Sequence, residues 1–165
     1  MKKYISSLLN FGSFRRDYLD DFLSQNQHLF KGDVLDIGGK KINKRGKFKP
    51  PLNHVNSWKY LNNDSETEPD YCCDAENIPL ADQSINVVIM TELLEYLPYP
   101  KKVLKEVSRV LHINGYLIIS SPFLNPIHGD YWADRTRHSP VSLKEMIEST
   151  GLEIESIEKI LKDII

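Results

Sequence analysis

The chain has 165 residues, of which 41% are hydrophobic and 27% are charged, a composition typical of a single globular domain. Its 23 acidic and 21 basic side chains give a formal net charge of -2, which argues against general binding to nucleic acid or to a membrane surface. Because the apolar runs fall far short of the ~20 residues of a membrane span and the N-terminus is too polar for a signal peptide, we expect a cytoplasmic protein with no membrane span.

The first part of the chain is predicted to be a helical segment over residues 1–31, followed by a single domain over residues 32–165. Near the end of this segment, apolar side chains recur at helical spacing and charged residues fill the opposite face. The apolar positions are Phe14, Tyr18, Leu19, Phe22 and Leu23. Gly32 then interrupts the pattern, so we expect the helix to end before the domain begins.

The rest of the chain alternates between strand and helix patterns. Apolar runs bounded by turn residues predict strands at residues 34–37, 58–61, 71–73, 85–90, 116–120 and 152–157. Amphipathic periodicity predicts helices at residues 100–111 and 142–150. Between the first two strands, the polar and basic residues 40–57 predict a long loop with at most a short helix. This alternation is typical of an α/β fold, a three-layer sandwich with a mostly parallel, Rossmann-like sheet.

The two cysteines, Cys72 and Cys73, are adjacent in the predicted third strand. Neighbouring cysteines have poor geometry for an unstrained disulfide with each other, and free cysteines are usually buried. We therefore expect two reduced, buried thiols.

Candidate binding residues follow the first three predicted strands, and the carboxyl ends of parallel strands are where ligands bind in such sheets. Asp36, Gly38 and Gly39 lie at the end of the first strand, where glycines let the backbone approach a ligand closely. Asp64 follows the second strand, where an acid can accept hydrogen bonds from ribose hydroxyls. Asp74 follows the third strand as a candidate adenine contact. Either aspartate could instead simply cap a turn.

In these motifs, residues 32–158 resemble the class I S-adenosylmethionine-dependent methyltransferases, and specifically the type 11 methyltransferase domain. Residues 34–39 are similar to the glycine motif of that family, residues 74–88 to its adenine segment, and residues 91–97 to the segment after the fourth strand. The resemblance implies S-adenosylmethionine as the cofactor. The cofactor-binding residues that it implies are Asp36, Gly38, Gly39, Lys40, Asp64, Asp74, Ala75 and Glu92.

The sequence departs from the family pattern at two positions. Lys40 stands where the family usually has a third glycine, and Tyr96 stands where it often has a histidine. The Lys40 side chain would either crowd the turn or face the carboxylate of the cofactor. A noncatalytic binding or assembly module that keeps the fold therefore stands as the alternative to an enzyme.

The resemblance also implies a sheet of seven strands, whereas the chain leaves room for six. The seventh strand is therefore predicted to be missing or shortened. A bare sheet edge invites pairing with another chain, so we expect self-association as a homodimer or cover from residues 160–165.

Residues beyond the fifth predicted strand are candidates for the acceptor side. Residues 134–140 are similar to a segment that helps to close this side in many members of the family. His128 and Asp130 are the candidate catalytic residues, because an imidazole or a carboxylate can take a proton near neutral pH. A metal site formed by these two residues and His138 would lack a paired set of ligands, so no metal is predicted.

The predicted long loop carries six cations and no acid within ten residues, namely Lys40, Lys41, Lys44, Arg45, Lys47 and Lys49. Such a run is either a solvated face or an anion site for the acceptor. The resemblance implies methyl transfer to an oxygen or nitrogen of a small acceptor related to carbohydrate or polysaccharide, and the cations indicate that this acceptor is anionic. A nicotinamide-dependent dehydrogenase is disfavoured, because the full Gly-x-Gly-x-x-Gly turn is absent.

Overall fold

The computed structural model describes residues 14–42, 46–123 and 133–158 of the chain. The α-helices in these ranges are α1 (Phe14–Gln25), α2 (Pro100–Val110) and α3 (Pro140–Glu148). The strands are β1 (Asp33–Ile37), β2 (Ser57–Asn62), β3 (Tyr71–Cys72), β4 (Ile85–Thr91) and β5 (Leu111–Ser120). Short 3-10 helices lie at Gln27–Leu29, Ser65–Thr67 and Leu94–Tyr96.

The five strands form one parallel sheet in the order β3-β2-β1-β4-β5. The direction in which strands are added reverses between β1 and β4, where Val34 pairs with Trp58 on one side and with Val87 on the other. Loops diverge at such a switch point and leave a crevice at the carboxyl ends of the strands. The predicted Rossmann-like α/β fold is confirmed.

Side chains of successive strand residues point to opposite faces of the sheet, and helices cover both faces. On one face, Leu35 and Val88 join a core that includes Leu104 of α2 and Ile147 of α3. On the other face, the core contains side chains from α1, from the residues that follow it, and from four strands. These are Leu19, Leu23, Phe30, Val34, Trp58, Tyr60, Val87, Ile89 and Ile118. The three layers that the sequence predicts are therefore present.

Helix α2 follows directly from its sequence. Val103, Leu104, Val107 and Val110 recur at helical spacing, and all four are fully buried against the sheet. Pro100 occupies the first turn, where a missing N–H costs nothing. The predicted helix at residues 100–111 is confirmed to within one residue.

The predicted sixth strand at residues 152–157 is wrong, because residues 151–158 adopt no regular secondary structure. Leu152 and Ile154 are half-buried against the core, while Glu153 and Glu155 are exposed. The side chains of this segment thus alternate between buried and exposed positions, but its backbone does not pair with a strand. Period-two patterns report which side chains are buried and cannot by themselves report backbone pairing.

The long loop after β1 is packed against the face that carries α1. The ring of Phe48 lies 5.8 Å from the ring of Phe30 and 6.2 Å from that of Trp58, measured between centroids. The buried carboxylate of Asp20 on α1 accepts a hydrogen bond from the Lys47 backbone N–H. No short helix lies in the described part of residues 40–57, and the contacts of Phe48 and Lys47 hold the loop instead.

The cysteines are both free thiols, but the expectation that both are buried is wrong for Cys72. Strand β3 is a two-residue strand at the edge of the sheet, so the Cys72 side chain is exposed. Cys73 is half-buried, and its burial raises the pKa of the thiol. Within residues 14–42, 46–123 and 133–158, no helix is long and apolar enough to cross a membrane.

Candidate functional site

The turn after β1 depends on two glycines. Gly38 has a φ of +80°, a backbone conformation that side chains disfavour, and its N–H donates to the Leu61 carbonyl at 2.8 Å. A β-carbon at Gly39 would lie 2.3 Å from the Asp36 carboxylate. The structure thus brings together Asp36, Gly38 and Gly39, which the sequence predicts as cofactor-binding residues.

Asn62, the last residue of β2, is a site residue that sequence reasoning missed. Its Nδ2 donates to the carbonyl oxygens of Gly38 at 3.2 Å and Gly39 at 3.0 Å, and its Oδ1 accepts from the Asp64 N–H at 3.0 Å. An amide supplies donors and an acceptor on one side chain, which suits it to bridge two loops. The available signal was its place at the carboxyl end of a predicted strand, beside Asp64.

Asp64 lies at this edge of the sheet and is exposed. Its Oδ1 accepts from the Glu66 N–H at 3.0 Å, which caps the 3-10 helix Ser65–Thr67. The capping role that the sequence allowed is therefore realised. The predicted contact with ribose stays a prediction, because Asn62 and Asn63, rather than Asp64, form the adjacent cleft wall.

A cleft opens where β1, β2 and β3 end, between the glycine turn and the residues after β3. Asp74 and Ala75 lie in it as the sequence predicts, and Asp74 Oδ1 accepts from the Glu76 N–H at 3.1 Å. The walls are formed by Ile37, Gly38, Leu61, Asn62, Asn63, Cys73, Asp74, Ala75, Leu93 and Leu97. The enclosed part measures about 60 Å³, so it is an open groove rather than a closed pocket of ~300–1,000 Å³.

The loop that follows Asp74 is held to α2 by Arg109, a second residue that sequence reasoning missed. The guanidinium donates to the carbonyl oxygens of Ile78 at 2.9 Å and Leu80 at 2.8 Å, and it also pairs with Asp82 and Glu106. Glu106 Oε2 in turn accepts from the Ile78 N–H at 3.0 Å. The hydrogen bond from Arg109 is the main reason why the pKa of Glu106 lies below its ordinary value.

Replacing Arg109 with alanine is expected to lower the free energy of unfolding by about 2–3 kcal/mol, because two part-buried carbonyls and the carboxylates of Asp82 and Glu106 lose a donor. Urea titration followed by circular dichroism measures the change. Lys105→Ala is the matched control, since Lys105 is an exposed residue of the same helix. An Arg109→Ala protein as stable as the control would show that the loop does not depend on these bonds.

Glu92 follows β4 in a strained, left-handed backbone conformation with a φ of 54°. Its N–H lies 3.1 Å from Ser120 Oγ and 3.2 Å from the Ser120 carbonyl, and Ser120 Oγ donates to Glu92 Oε1 at 2.9 Å. The side chain lines a wide groove along β5 together with Thr91, Ser121 and His138. Glu92 therefore lies beside the cleft at the ends of β1–β3 but is not one of the residues that line it.

Two lysines of the basic loop are engaged in ion pairs. Lys41 Nζ lies 3.1 Å from Asp70, whose other oxygen accepts from the Tyr60 N–H at 2.9 Å. Burial alone would raise the pKa of Asp70, but the Tyr60 hydrogen bond and the lysine lower it below its ordinary value. Lys47 Nζ lies 2.8 Å from Asp17 of α1. Lys40 is exposed directly after the glycine turn.

Several predicted residues lie outside the described part of the chain. They are His128 and Asp130, the two candidate catalytic residues, the loop cations Lys44 and Arg45, and residues 160–165. Among described residues, His138 lines the wide groove, Thr136 Oγ1 lies 3.2 Å from its Nε2, and burial lowers its pKa. No group of three or more potential metal ligands occurs in residues 14–42, 46–123 and 133–158.

Comparison with known proteins supports the same family that the motifs indicate. A family model described as a methyltransferase domain matches residues 53–119, which begin after the glycine turn and include β2 to most of β5. No curated protein matches the chain. The chain also shares its fold with solved structures at low sequence identity.

Three of these structures cover most of the chain. A SAM-dependent methyltransferase from Thermotoga maritima, a candidate histamine N-methyltransferase, is 21% identical with a TM-score of 0.64 over 93% of this chain and 78% of its own. A candidate methyltransferase from Bacillus halodurans is 20% identical with a TM-score of 0.67 over 83% and 70%. The [4+2]-cyclase SpnF is 20% identical with a TM-score of 0.62 over 84% and 57%.

The domain match covers residues 53–119 and the solved structures share the fold, in agreement with the resemblance that the motifs indicate. The cleft at the carboxyl ends of β1–β3 lies where that resemblance places the cofactor. At this low sequence identity, the solved structures show the fold of the chain but do not indicate its substrates.

Proposed function

We propose that this protein transfers the methyl group of S-adenosylmethionine to an oxygen or nitrogen of a small acceptor in the cytoplasm. The observation that carries the proposal is the cleft beside the Gly38–Gly39 turn. The cleft residues from Leu61 to Leu97 lie within the part of the chain that matches the methyltransferase-domain model. Bound S-adenosylmethionine would supply a methyl group already activated by its sulfonium. The chain's own residues then have to bind, orient and shield the reactants.

The residues of the cleft fit this cofactor. Gly38 and Gly39 leave no side chain between the turn backbone and a ligand, which suits the amino-acid part of the molecule. The buried methyl of Ala75 offers an apolar surface for the base, and Asp74 lies in the same wall. We place the ribose at Asp64. The cofactor site proposed here thus keeps all the residues that the resemblance implies, although Glu92 lies at its border.

The acceptor would lie beyond Glu92, in the direction of the wide groove. Ser120 fixes one oxygen of the Glu92 carboxylate, so this side chain is held in a defined position at the end of β4. His128 and Asp130 stay the predicted proton acceptors on this side. A thoroughly aligned pair of reactants can by itself contribute about 7–11 kcal/mol to lowering the barrier, so a fixed catalytic triad is unnecessary.

Isothermal titration calorimetry with S-adenosylhomocysteine, S-adenosylmethionine and NAD tests the proposal. We expect saturable binding of the first two compounds at one site and no binding of NAD. Binding that is lost in Gly39→Ala would support the cleft as the site. A folded protein that binds none of the three compounds would overturn the proposed function.

The second candidate is a protein that keeps the methyltransferase-like fold but does not transfer methyl groups. It would catalyse a different reaction or act as a noncatalytic binding or assembly module. The likeness to SpnF favours it, since that protein of the same fold is described as a [4+2]-cyclase. Lys40 at the position of the usual third glycine is the sequence feature behind this candidate, since a side chain that crowds the turn would impede cofactor binding. Binding of S-adenosylhomocysteine without methyl transfer to any of a broad panel of acceptors would favour this candidate.

The acceptor itself we place among anionic, carbohydrate-related compounds, and the basic loop supports this choice. Lys41 and Lys47 are committed to ion pairs with Asp70 and Asp17, whereas Lys40 is exposed next to the glycine turn. Loop cations that are not neutralised locally attract anions and steer them to the same edge of the sheet.

We further propose a homodimer that covers the outer edge of β5.

Replacing Lys44 and Arg45 together with serine is expected to weaken binding of sugar phosphates by about 3- to 10-fold, since screened surface charges contribute modestly. Affinity for S-adenosylhomocysteine should stay within twofold of wild type. Lys47→Ser serves as the control, because its ammonium group already pairs with Asp17. Calorimetry with phosphorylated and neutral sugars at two salt concentrations measures both effects. Equal binding of neutral sugars would reduce the loop to a solvated face.

A further inference from the structure

The 3-10 helix Leu94–Tyr96 separates the cofactor cleft from residues 133–138. Leu93 and Leu97, on either side of it, both line the cleft. Between them Glu95 is completely buried, and its carbonyl oxygen accepts from the N–H groups of Arg135 at 2.7 Å and Thr136 at 3.3 Å. One short helix therefore contacts the cleft on one side and residues 133–138 on the other.

Arg137 and Asp134 form a two-pronged ion pair within residues 133–138. Arg137 Nη2 donates to Asp134 Oδ2 at 2.7 Å, and Nη1 pairs with Oδ1. The Asp134 side chain is 1% exposed and that of Arg137 is 20% exposed. The Asp134 hydrogen bond raises the pKa of Arg137 most, burial opposes the shift, and the charge of Glu95 adds to the increase. The guanidinium therefore pairs with the buried Asp134 carboxylate, and the charge of Glu95 acts on it in addition.

Burial of this cluster is costly, since each charge loses its hydration on folding. Replacing a buried ion pair with well-packed apolar residues is often neutral or stabilising, so stability alone does not account for the buried Asp134 paired with this arginine. Buried ion pairs are best known for fixing one arrangement of chain segments against its alternatives. Here the Asp134–Arg137 pair spans Arg135 and Thr136, whose N–H groups bond the Glu95 carbonyl of the Leu94–Tyr96 helix.

We propose that Glu95, Asp134 and Arg137 form a clasp that fixes the wall of the cofactor cleft to the His138-bearing segment of the acceptor groove. Arg137 is then a positioning residue. It acts through the Leu94–Tyr96 helix on Leu93 and Leu97, and it contacts neither reactant. The proposal rests on the proposed function for the identity of the ligands, whereas the clasp itself is a property of the chain.

Two conservative variants test the clasp. Arg137→Lys keeps the charge but cannot make the two parallel hydrogen bonds, and Asp134→Asn keeps the shape but removes the charge. Lys144→Ala is the matched control, because it breaks the exposed Lys144–Glu148 pair on the neighbouring helix α3. Hydrogen exchange of individual amides and titration with S-adenosylhomocysteine are the two measurements.

In both clasp variants we expect the amides of Arg135 and Thr136 to exchange at least about 10-fold faster than in wild type. The amides of Tyr96 and Leu97, which bond to the carbonyls of Leu93 and Leu94, should accelerate with them. Affinity for S-adenosylhomocysteine should fall by about 3- to 10-fold, in the range of coupling through packed elements. The control variant should leave all three quantities unchanged.

Faster exchange confined to residues 133–138, with Tyr96 and Leu97 unchanged, would overturn the clasp. Unchanged S-adenosylhomocysteine affinity in a variant whose four amides all accelerate would overturn its influence on the cleft. Wild-type protein that fails to bind S-adenosylhomocysteine would overturn the proposed function instead. In that case the four amides alone decide whether the clasp couples the two segments.

Discussion

Replacing Gly39 with alanine is expected to weaken S-adenosylhomocysteine binding by at least about 100-fold, or ~2.7 kcal/mol. A β-carbon at this position would lie 2.3 Å from Cγ and Oδ1 of Asp36, whereas ordinary contacts begin at 3.4 Å. The Asp36 carboxylate or the turn backbone must therefore move. Both belong to the cofactor site that we propose.

The Asp36 side chain is the first group that the added methyl group meets. It is half-buried, and its charge acts on buried Tyr60, whose pKa is raised chiefly by burial and further by Asp36 and Asp70. Displacement would carry Asp36 away from this environment. The turn backbone is tied in turn by Asn62, which bonds the carbonyl oxygens of Gly38 and Gly39. The loss of affinity should therefore not be repaired by a small local adjustment.

Gly151→Ala is the matched control for this variant. Gly151 has a φ of +87°, so alanine is strained there, but the nearest atom to its β-carbon would be Ser108 Oγ at 3.9 Å, outside the cleft. We expect a loss of about 1 kcal/mol in unfolding free energy with unchanged S-adenosylhomocysteine affinity. Calorimetry together with urea titration separates the two effects. A folded Gly39→Ala protein with wild-type affinity would move the cofactor out of this cleft.

Sequence reasoning predicted the parallel sheet well because its strands are compact apolar runs. Residues 85–90 are nearly all buried on both faces, and such a run between turn residues has few alternatives. The start of β5 at Leu111 was missed. The strand passes through exposed Ile113 and half-buried Gly115 and shifts register against β4 between Ile85 and Val87. Backbone pairing with a bulge leaves no hydrophobic pattern from which it can be read.

Only the part of the candidate site formed by the turn after β1 was predictable from the sequence. Gly38 and Gly39 carry a local signal, since a tight turn after a strand demands residues without side chains. Arg109 carries none, because it bonds carbonyls 29 and 31 residues away in the sequence. The place of Asn62 at the end of a predicted strand is a signal, but its bond to Gly39, 23 residues away, is not visible in the sequence. Arg137 was visible as part of a motif, but the burial of its partner Asp134 became evident only in the folded structure.

Asp64→Ala is expected to weaken S-adenosylhomocysteine binding by about 1.5–3 kcal/mol, or roughly 10- to 150-fold, because charge-assisted hydrogen bonds to ribose hydroxyls are lost. The same change removes the cap of the Ser65–Thr67 helix, where Asp64 Oδ1 accepts from the Glu66 N–H. Loss of such a cap costs about 1 kcal/mol of stability. Alanine alone therefore cannot separate a ligand contact from a local loosening of the loop.

Asp64→Asn separates the two roles, because asparagine caps a helix as well as aspartate does but carries no charge. If Asp64 binds the ribose, the asparagine variant should keep wild-type stability in urea titration and still lose most of the affinity measured by calorimetry. If the carboxylate only caps, the asparagine variant should bind S-adenosylhomocysteine like wild type, and Asp64 would leave the site. The neighbouring Asn62 and Asn63, which already line the cleft, would then be the ribose-side residues.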